Sequence, residues 1–390
     1  MISVSEALEH LFGLVRPLGV EDVALADCGG RVLGQTVFAR RTQPPFAASA
    51  MDGYAVVGDE AVSGASFQVI GEASAGGAFE GVVGSGQAVR IFTGAPIPSG
   101  ATRVVIQEDV TRDGDRITLG DALDEGSHIR PAGGDFHEGT PLGAPRLLGP
   151  AEVALAAAMN LPTLPVTRRP RVAIMATGNE LVMPGEDPAA DQIIASNNFG
   201  LKAMLEARGA IVQMLPIAKD TPEALRLGFQ LAKGADLVVT IGGASVGDHD
   251  LVGPVARDLG METSFYKVAM RPGKPLMAGK LGDLAMVGLP GNPVSALVCG
   301  AIFLCPMIDV MLGLPAKAVP RQMAVLEHDL PENGPREHYM RAYFQDGGIS
   351  IFPDQDSSLL SILSSSNALA IRPPRDPARK AGEQIEYIAF

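Results

Sequence analysis

Two glycine-rich turns carry most of the chemistry this chain can do: Thr240-Ile-Gly-Gly-Ala-Ser-Val-Gly-Asp-His-Asp250 and Gly288-Leu-Pro-Gly-Asn-Pro-Val-Ser295. Each follows a short apolar run that reads as a strand, 237–241 and 284–287, and each precedes a helix-compatible stretch. A strand that ends in glycines and then opens a helix presents bare backbone N–H groups, a ready seat for an anion. Between the two lies Arg271-Pro-Gly-Lys-Pro275, a turn with two cations, preceded by Lys267. Arginine supplies a planar fork and lysine a point charge, so Lys267, Arg271 and Lys274 can converge on a phosphate or another oxyanion.

The individual positions divide by role. Gly242, Gly243 and Ser245 are small enough to let backbone approach a ligand, and Asp248 and Asp250 follow them. Paired carboxylates suit Mg²⁺, a hard cation that takes one or two of them plus ligand oxygens. Helix capping is the plain alternative for Asp248 and Asp250. In the second turn, Asn292 reads as an N-cap and Pro293 as the first helical residue, with Gly291 and Ser295 around them. Capping explains Asn292 equally well, but not the surrounding glycines. Thr177-Gly-Asn-Glu180 ends another predicted strand and delivers Glu180 to the same sheet edge. The loop Pro44-Pro-Phe-Ala-Ala-Ser-Ala-Met-Asp-Gly-Tyr-Ala55, with Ser49 and Asp52, is poor core material and reads as a binding loop. The six histidines show no paired spacing and are read as non-catalytic.

The elements that must hold these residues alternate cleanly from Arg171 onward. Strands are predicted over 171–176, 210–217 and 237–241, with helices over 196–208 and from the Thr221 N-cap to Gly234. Such βαβα order argues for a parallel-rich sheet covered on both faces, with ligands beyond the carboxyl ends of its strands. Residues 47–135 instead show short β-type runs broken by glycine, at 67–71, 88–92 and 103–108. An Ala-rich helix is expected over 150–159, followed by a proline-punctuated linker over 161–170. Strand-like runs at 339–345, 349–352, 368–372 and 384–388 suggest a small terminal barrel or sandwich. The expected division is therefore 1–46 with 136–168 as helical and linker segments, 47–135 as a β-rich middle domain, 169–318 as an α/β domain, and 319–390 as a terminal β domain.

Composition narrows the classes. The chain is long enough for about two to four domains, and 46% hydrophobic with 19% charged residues is globular. A net charge of −13 with no basic stripe excludes a general nucleic-acid binder. Three cysteines, Cys28, Cys299 and Cys305, fall in no CxxC or ligand spacing and read as buried thiols, which fits a cytoplasmic setting. Ser3-Val-Ser-Glu6 is a capping box that opens an amphipathic helix where a signal peptide would be basic. The longest apolar stretch, 296–308, contains Pro306 and falls short of the ~20 residues a bilayer needs, so it is expected to be a core helix and no membrane contact is anticipated.

With these motifs in order, the chain resembles the molybdopterin molybdenumtransferases of molybdenum-cofactor biosynthesis, the bacterial MoeA proteins and the matching domain of gephyrin. Ser49-Ala-Met-Asp-Gly-Tyr-Ala55 is similar to the family's amino-terminal signature. Phe92-Thr-Gly-Ala-Pro-Ile-Pro98 and Ile129-Arg-Pro-Ala-Gly-Gly-Asp135 resemble its middle motifs, and Thr177–Glu180, the two glycine turns and 267–275 resemble its molybdopterin-binding domain. Arg341 and Gln355-Asp-Ser-Ser358 resemble its terminal β domain. The resemblance implies insertion of molybdenum from molybdate into adenylylated molybdopterin, with Mg²⁺ and release of AMP. It also implies an elongated homodimer whose clefts are lined by both subunits, and it leaves room for association with the pathway's pterin adenylyltransferase. Carried over by position, it assigns functional places to Asp52, Thr93, Asp135, Glu180, Asp220, Asp250, Lys267, Arg271, Lys274, Arg341 and Ser357, with Glu180, Asp248 and Asp250 the expected Mg²⁺ ligands. Position 271 is commonly lysine in the family, so the arginine keeps the charge and changes the contact geometry. Two other readings compete: molybdopterin adenylylation by the shared α/β domain, which the Ser49–Ala55 motif and extra β domains argue against, and a non-catalytic gephyrin-like scaffold, for which no attached module or long disordered linker calls.

Overall fold

The structure is a computed structural model that describes residues 1–243 and 251–390. Its centre is a six-stranded sheet in the order Ile211–Met214, Arg171–Ala176, Leu237–Ile241, Leu284–Leu289, Met277–Leu281, Met261–Tyr266. The first four strands run parallel, and Met277–Leu281 is antiparallel to both its neighbours. Every residue of Leu237–Ile241 is buried, as a strand covered on both faces requires. The two-residue period shows in the next strand. Val172 and Ile174 join the core beneath helices Asn197–Ala207 and Cys305–Met311, while Ala173 and Met175 join the core beneath Pro222–Leu231 and Val252–Asp258.

Helix ends follow the expected chemistry. The Ser3 hydroxyl accepts from Glu6 N at 3.1 Å and the Glu6 carboxylate accepts from Ser3 N at 2.7 Å, completing the capping box. Thr221 caps Pro222–Leu231 by accepting from Ala224 N at 3.2 Å. The first helix, Val4–Leu14, does not stay with the segment 1–46, however. Val4, Ala7, Leu8 and Leu11 form an apolar stripe that packs into the central domain's core. The apolar run at 296–308 is part of one long helix, Pro293–Met311, 78% of it buried inside the molecule. Its middle turn, Gly300–Leu304, widens to a π-helix just before Pro306, whose missing N–H cannot bond the carbonyl one turn back.

The proline-punctuated segment 161–170 is a strand rather than a linker. Thr163–Thr167 pairs antiparallel with Val20–Ala24 and lies beside Val32–Leu33 in a four-stranded sheet. Leu164 and Val166 point into its core on a two-residue period. Pro165 offers no N–H, but its carbonyl accepts from Gly34 N at 2.9 Å. The middle module is a six-stranded sheet in the order Arg103–Ile106, Gly53–Val56, Gln87–Ile91, Ser66–Ala73, Arg116–Leu119, Val110–Asp113.

At the carboxy end, strands Glu337–Gln345, Gly348–Ile351, Gln322–Leu326, Gln384–Ala389 and Ala368–Arg372 close into a barrel, because Glu337–Gln345 pairs with both Gly348–Ile351 and Ala368–Arg372. Met270–Arg271 adds to this barrel as a parallel strand, with Arg271 in register with His338. The basic turn is thereby stitched to the terminal domain.

Candidate active site

The carboxyl ends of three parallel strands open into a cleft of about 610 Å³, lined by Thr177, Gly178, Glu180, Asp220, Gly242, Gly243, Gly291 and Asn292 among others. The glycines are needed for two separate reasons. Gly242 has φ 93°, and a Cβ there would stand 2.7 Å from the Thr177 carbonyl oxygen. Gly178 has φ 153°, a backbone conformation that side chains rarely adopt, and lies beneath the Glu180 carboxylate. The two glycine turns face one another, since Gly242 N donates to Leu289 O at 3.1 Å. Glu180 and Asp220 present carboxylates with no Lys or Arg at ion-pair distance among the described residues. At the cleft wall Asn198 is buried and its Oδ1 has no hydrogen-bond partner. Asn197 Nδ2 donates to Gly291 O at 2.7 Å and ties the helix Asn197–Ala207 to the second turn.

Beyond Asn292 lies a second, smaller cavity of about 280 Å³, lined by Arg271, Pro272, Gly273, Lys274, Ser295, Arg336, Gln355, Asp356 and Ser357, with Asn292 shared between the two. Asn292 makes no side-chain cap; its Nδ2 reaches across to Ser357 Oγ at 2.9 Å, and Ser357 O accepts from Val294 N at 3.1 Å. The terminal barrel's loop therefore closes the start of the long helix. Hydroxyl and backbone N–H groups of Ser358 hold the Asp356 carboxyl below its usual range. His338, buried beside Arg271, is held down to about 4 by its burial and by the guanidiniums of Arg271, Arg336, Arg372 and Arg341. It stays neutral at physiological pH and adds no charge.

Arg341 departs from the expectation that it would meet an anionic ligand. It is 1% exposed and donates to Leu359 O and Asp354 O, each at 3.2 Å, while Gln355 Oε1 accepts from its backbone N at 2.9 Å. It shapes the loop that carries Ser357. Lys267 lines neither described cavity; its backbone sits at φ 72° and its ammonium lies 5.4 Å from the Tyr266 ring centre. Of the three cations expected to converge, Arg271 and Lys274 share a cavity. Arg336 is the partner that sequence reading missed. Nothing marks a lone arginine after Pro335, and only the pairing of Met270–Arg271 with Glu337–His338 brings it in, with Arg336 Nη1 donating to Met270 O at 3.3 Å.

Asp52, Thr93 and Asp135 belong to the other modules and line neither cavity. Asp52 Oδ1 accepts from Thr93 N at 2.7 Å and from Thr93 Oγ1 at 2.8 Å, and these bonds hold its carboxyl below the usual range. Ser245, Asp248 and Asp250 lie outside the described residues. A larger cavity, about 780 Å³, opens at the opposite edge of the central sheet and includes Arg16, Lys233 and Lys280. Two further cations that line it, Arg168 and Arg226, are taken up in ion pairs with Asp236 and Asp258. The glycine turns and unpaired carboxylates are at the other edge, which makes the 610 Å³ cleft the candidate site.

Three family profiles cover nearly the whole chain: the MoeA N-terminal region (domains I and II) over residues 2–160, a probable molybdopterin-binding domain over 173–310, and the MoeA C-terminal region (domain IV) over 323–390. "Molybdopterin molybdenumtransferase 2" of Mycobacterium tuberculosis is 35% identical over 405 residues, covering 99% of each chain. The chain belongs to the molybdopterin molybdenumtransferase family. A Nostoc member is likewise 35% identical, over 99% of this chain and 93% of its own. A Pyrococcus horikoshii molybdopterin biosynthesis MoeA protein superimposes with a TM-score of 0.86 at 25% identity, covering both chains fully. Both the carboxylate-lined cleft and the basic cavity fall within segments that match this family, the first in the molybdopterin-binding region but for Ser358 and the second where that region meets the C-terminal one.

Proposed function

We propose that this protein inserts molybdenum from molybdate into the dithiolene of adenylylated molybdopterin, with Mg²⁺ and release of AMP. The observation that carries the reading is the junction at Asn292, where a cleft fit for a phosphoanhydride opens beside a cavity fit for a tetrahedral oxyanion. In that cavity Arg271, Lys274 and Arg336 stand against one carboxylate, Asp356, leaving two positive charges for a dianion. Backbone at the glycine turns and at the start of the long helix seats the ligand's phosphates.

Two unpaired carboxylates would repel a phosphoanhydride without a cation. Glu180 and Asp220 are the hard oxygen donors Mg²⁺ takes, and among the described residues no group of three metal-binding side chains would hold it without the ligand's own oxygens. When bound, the ion supplies charge neutralisation at the phosphoanhydride. The protein's own part is to hold the pterin phosphates at the glycine turns, to hold molybdate at Arg271, Lys274, Arg336 and Ser357, and to keep the two side by side. No protein nucleophile is needed, because the dithiolene sulfurs of the substrate take the metal. Asp52, Thr93 and Asp135 lie away from this cleft in their own chain, and the reading places them on the cleft of a second copy in a homodimer. A cytoplasmic location is part of the reading, supported by three unpaired thiols.

The test is AMP release from adenylylated molybdopterin by the full chain. Release that requires both molybdate and Mg²⁺ supports the reading. Pyrophosphate release from ATP with free molybdopterin, and no molybdate-dependent AMP, would replace it with adenylylation.

A further inference from the structure

The carboxylate of Asp52 is held by more than Thr93. Arg90, on strand Gln87–Ile91, donates from Nη1 to Gly53 O at 3.0 Å and from Nη2 to Gln107 Oε1 at 2.7 Å. Gln107 N in turn donates to Asp52 O at 3.0 Å. The guanidinium lies 4.6 Å from the centre of the Phe92 ring and 5.2 Å from that of Tyr54. One side chain therefore ties the backbone of Gly53 directly and that of Asp52 through Gln107, and packs on the residue before Thr93, the donor that fixes Asp52 Oδ1. No Asp or Glu lies at ion-pair distance from Arg90 among the described residues. Its charge is left to act on the nearby Asp52, where it assists Thr93 in keeping the carboxyl ionised.

We propose that Arg90 is a positioning residue for the transfer reaction: it orients Asp52, with Oδ1 tied to Thr93 and Oδ2 free of any hydrogen bond among the described residues, so that the ionised carboxylate is presented in one geometry. The inference rests on the proposed role of Asp52 at the cleft of a second copy. Two features of Arg90 suit this work. A planar fork can bond two acceptors from two nitrogens while lying against aromatic rings, a geometry an ammonium does not offer. An exposed carboxylate on a loop otherwise samples many orientations, each a fraction of the productive one.

Full-length Arg90→Ala, Arg90→Lys and Asp52→Asn, measured together, test it. The Arg90→Ala variant is expected to lose ten- to hundredfold in the rate of AMP release at saturating molybdate, with molybdate affinity within twofold of the parent. Added guanidinium should restore part of the rate in Arg90→Ala and none in Asp52→Asn. Lysine, which keeps the charge but lacks the two-nitrogen fork that spans Gly53 O and Gln107, should fall between. Independently of turnover, the Asp52 carboxyl followed by ¹³C resonance should titrate at higher pH in Arg90→Ala than in the parent. Parent-like turnover in Arg90→Ala with Asp52→Asn impaired would overturn the positioning role alone. Parent-like turnover in both would overturn the role of Asp52 itself and the inference with it.

Discussion

Lys274 shows how a single side chain is fixed for a task. Pro272, Gly273 and Pro275 set the backbone around it, and Gly273 has φ 103° with the Cys299 sulfur 2.4 Å from where a Cβ would sit. No larger residue fits there, so the turn presses against the long helix and aims Lys274 into the basic cavity. Loss of one charge-assisted hydrogen bond is worth about 1.5–3 kcal/mol, roughly ten- to hundredfold in affinity. Lys274→Ala should weaken molybdate binding by that factor in titration calorimetry while the thermal midpoint stays nearly unchanged. Lys274→Arg should rescue only in part, since a planar fork is wider than an ammonium. Affinity within twofold of the parent for the alanine variant would remove Lys274 from the site. At this scale the sequence was legible for residues near glycine and proline, whose backbone demands are local. It was not legible for Arg336, which reaches the cavity only through barrel pairing, nor for Arg341, whose burial no local pattern announces.

Among the elements, the terminal barrel carries a buried ion pair. Arg372, 2% exposed, bonds Asp376, and Arg379 bonds the same carboxylate at 2.8 and 3.0 Å. Arg379 above all, then Arg372, holds the Asp376 carboxyl below its ordinary range despite the opposing effect of burial. A depressed carboxyl contributes stability that is complete above its unfolded pKa of about 3.9 and is lost as pH falls through the folded value. The barrel's contribution should thus be constant at neutral pH and fade below about pH 4. Asp376→Ala leaves the buried Arg372 guanidinium without its counter-ion, beside the partly exposed Arg379, and should cost about 3–5 kcal/mol, read as a lower thermal midpoint at neutral pH. A change below 1 kcal/mol would show that the arginines find other acceptors. The strands of this barrel stood out in the sequence by their alternation, whereas its closure did not, because Glu337–Gln345 pairs on one edge with its hairpin neighbour Gly348–Ile351 but on the other with the more distant Ala368–Arg372. The same non-locality hid the strand Thr163–Thr167, whose two-residue period is interrupted by prolines.

For the whole molecule, the modules place Asp52 and the carboxylate cleft apart within one chain, so the account requires two copies. Asp52→Ala and Glu180→Ala should each be inactive alone. Mixed and reassociated, half the dimers would be hybrids with one intact cleft, returning about a quarter of parental activity for a symmetric pair. No recovery on mixing would mean that the two residues act in the same subunit or not at all. The α/β order and the ligand edge of its sheet were readable from periodicity and turn chemistry, but the docking of the first helix on the central domain was not, since an apolar stripe does not say which core will cover it. The central claim is that molybdate waits in the cavity beyond Asn292, next to the cleft that holds the pterin phosphates. Anomalous scattering at the molybdenum edge from crystals soaked in molybdate tests this most directly. The account predicts a peak within hydrogen-bonding reach of Arg271, Lys274 and Ser357; a peak confined to the opposite edge of the sheet, near Lys233 and Lys280, would contradict it.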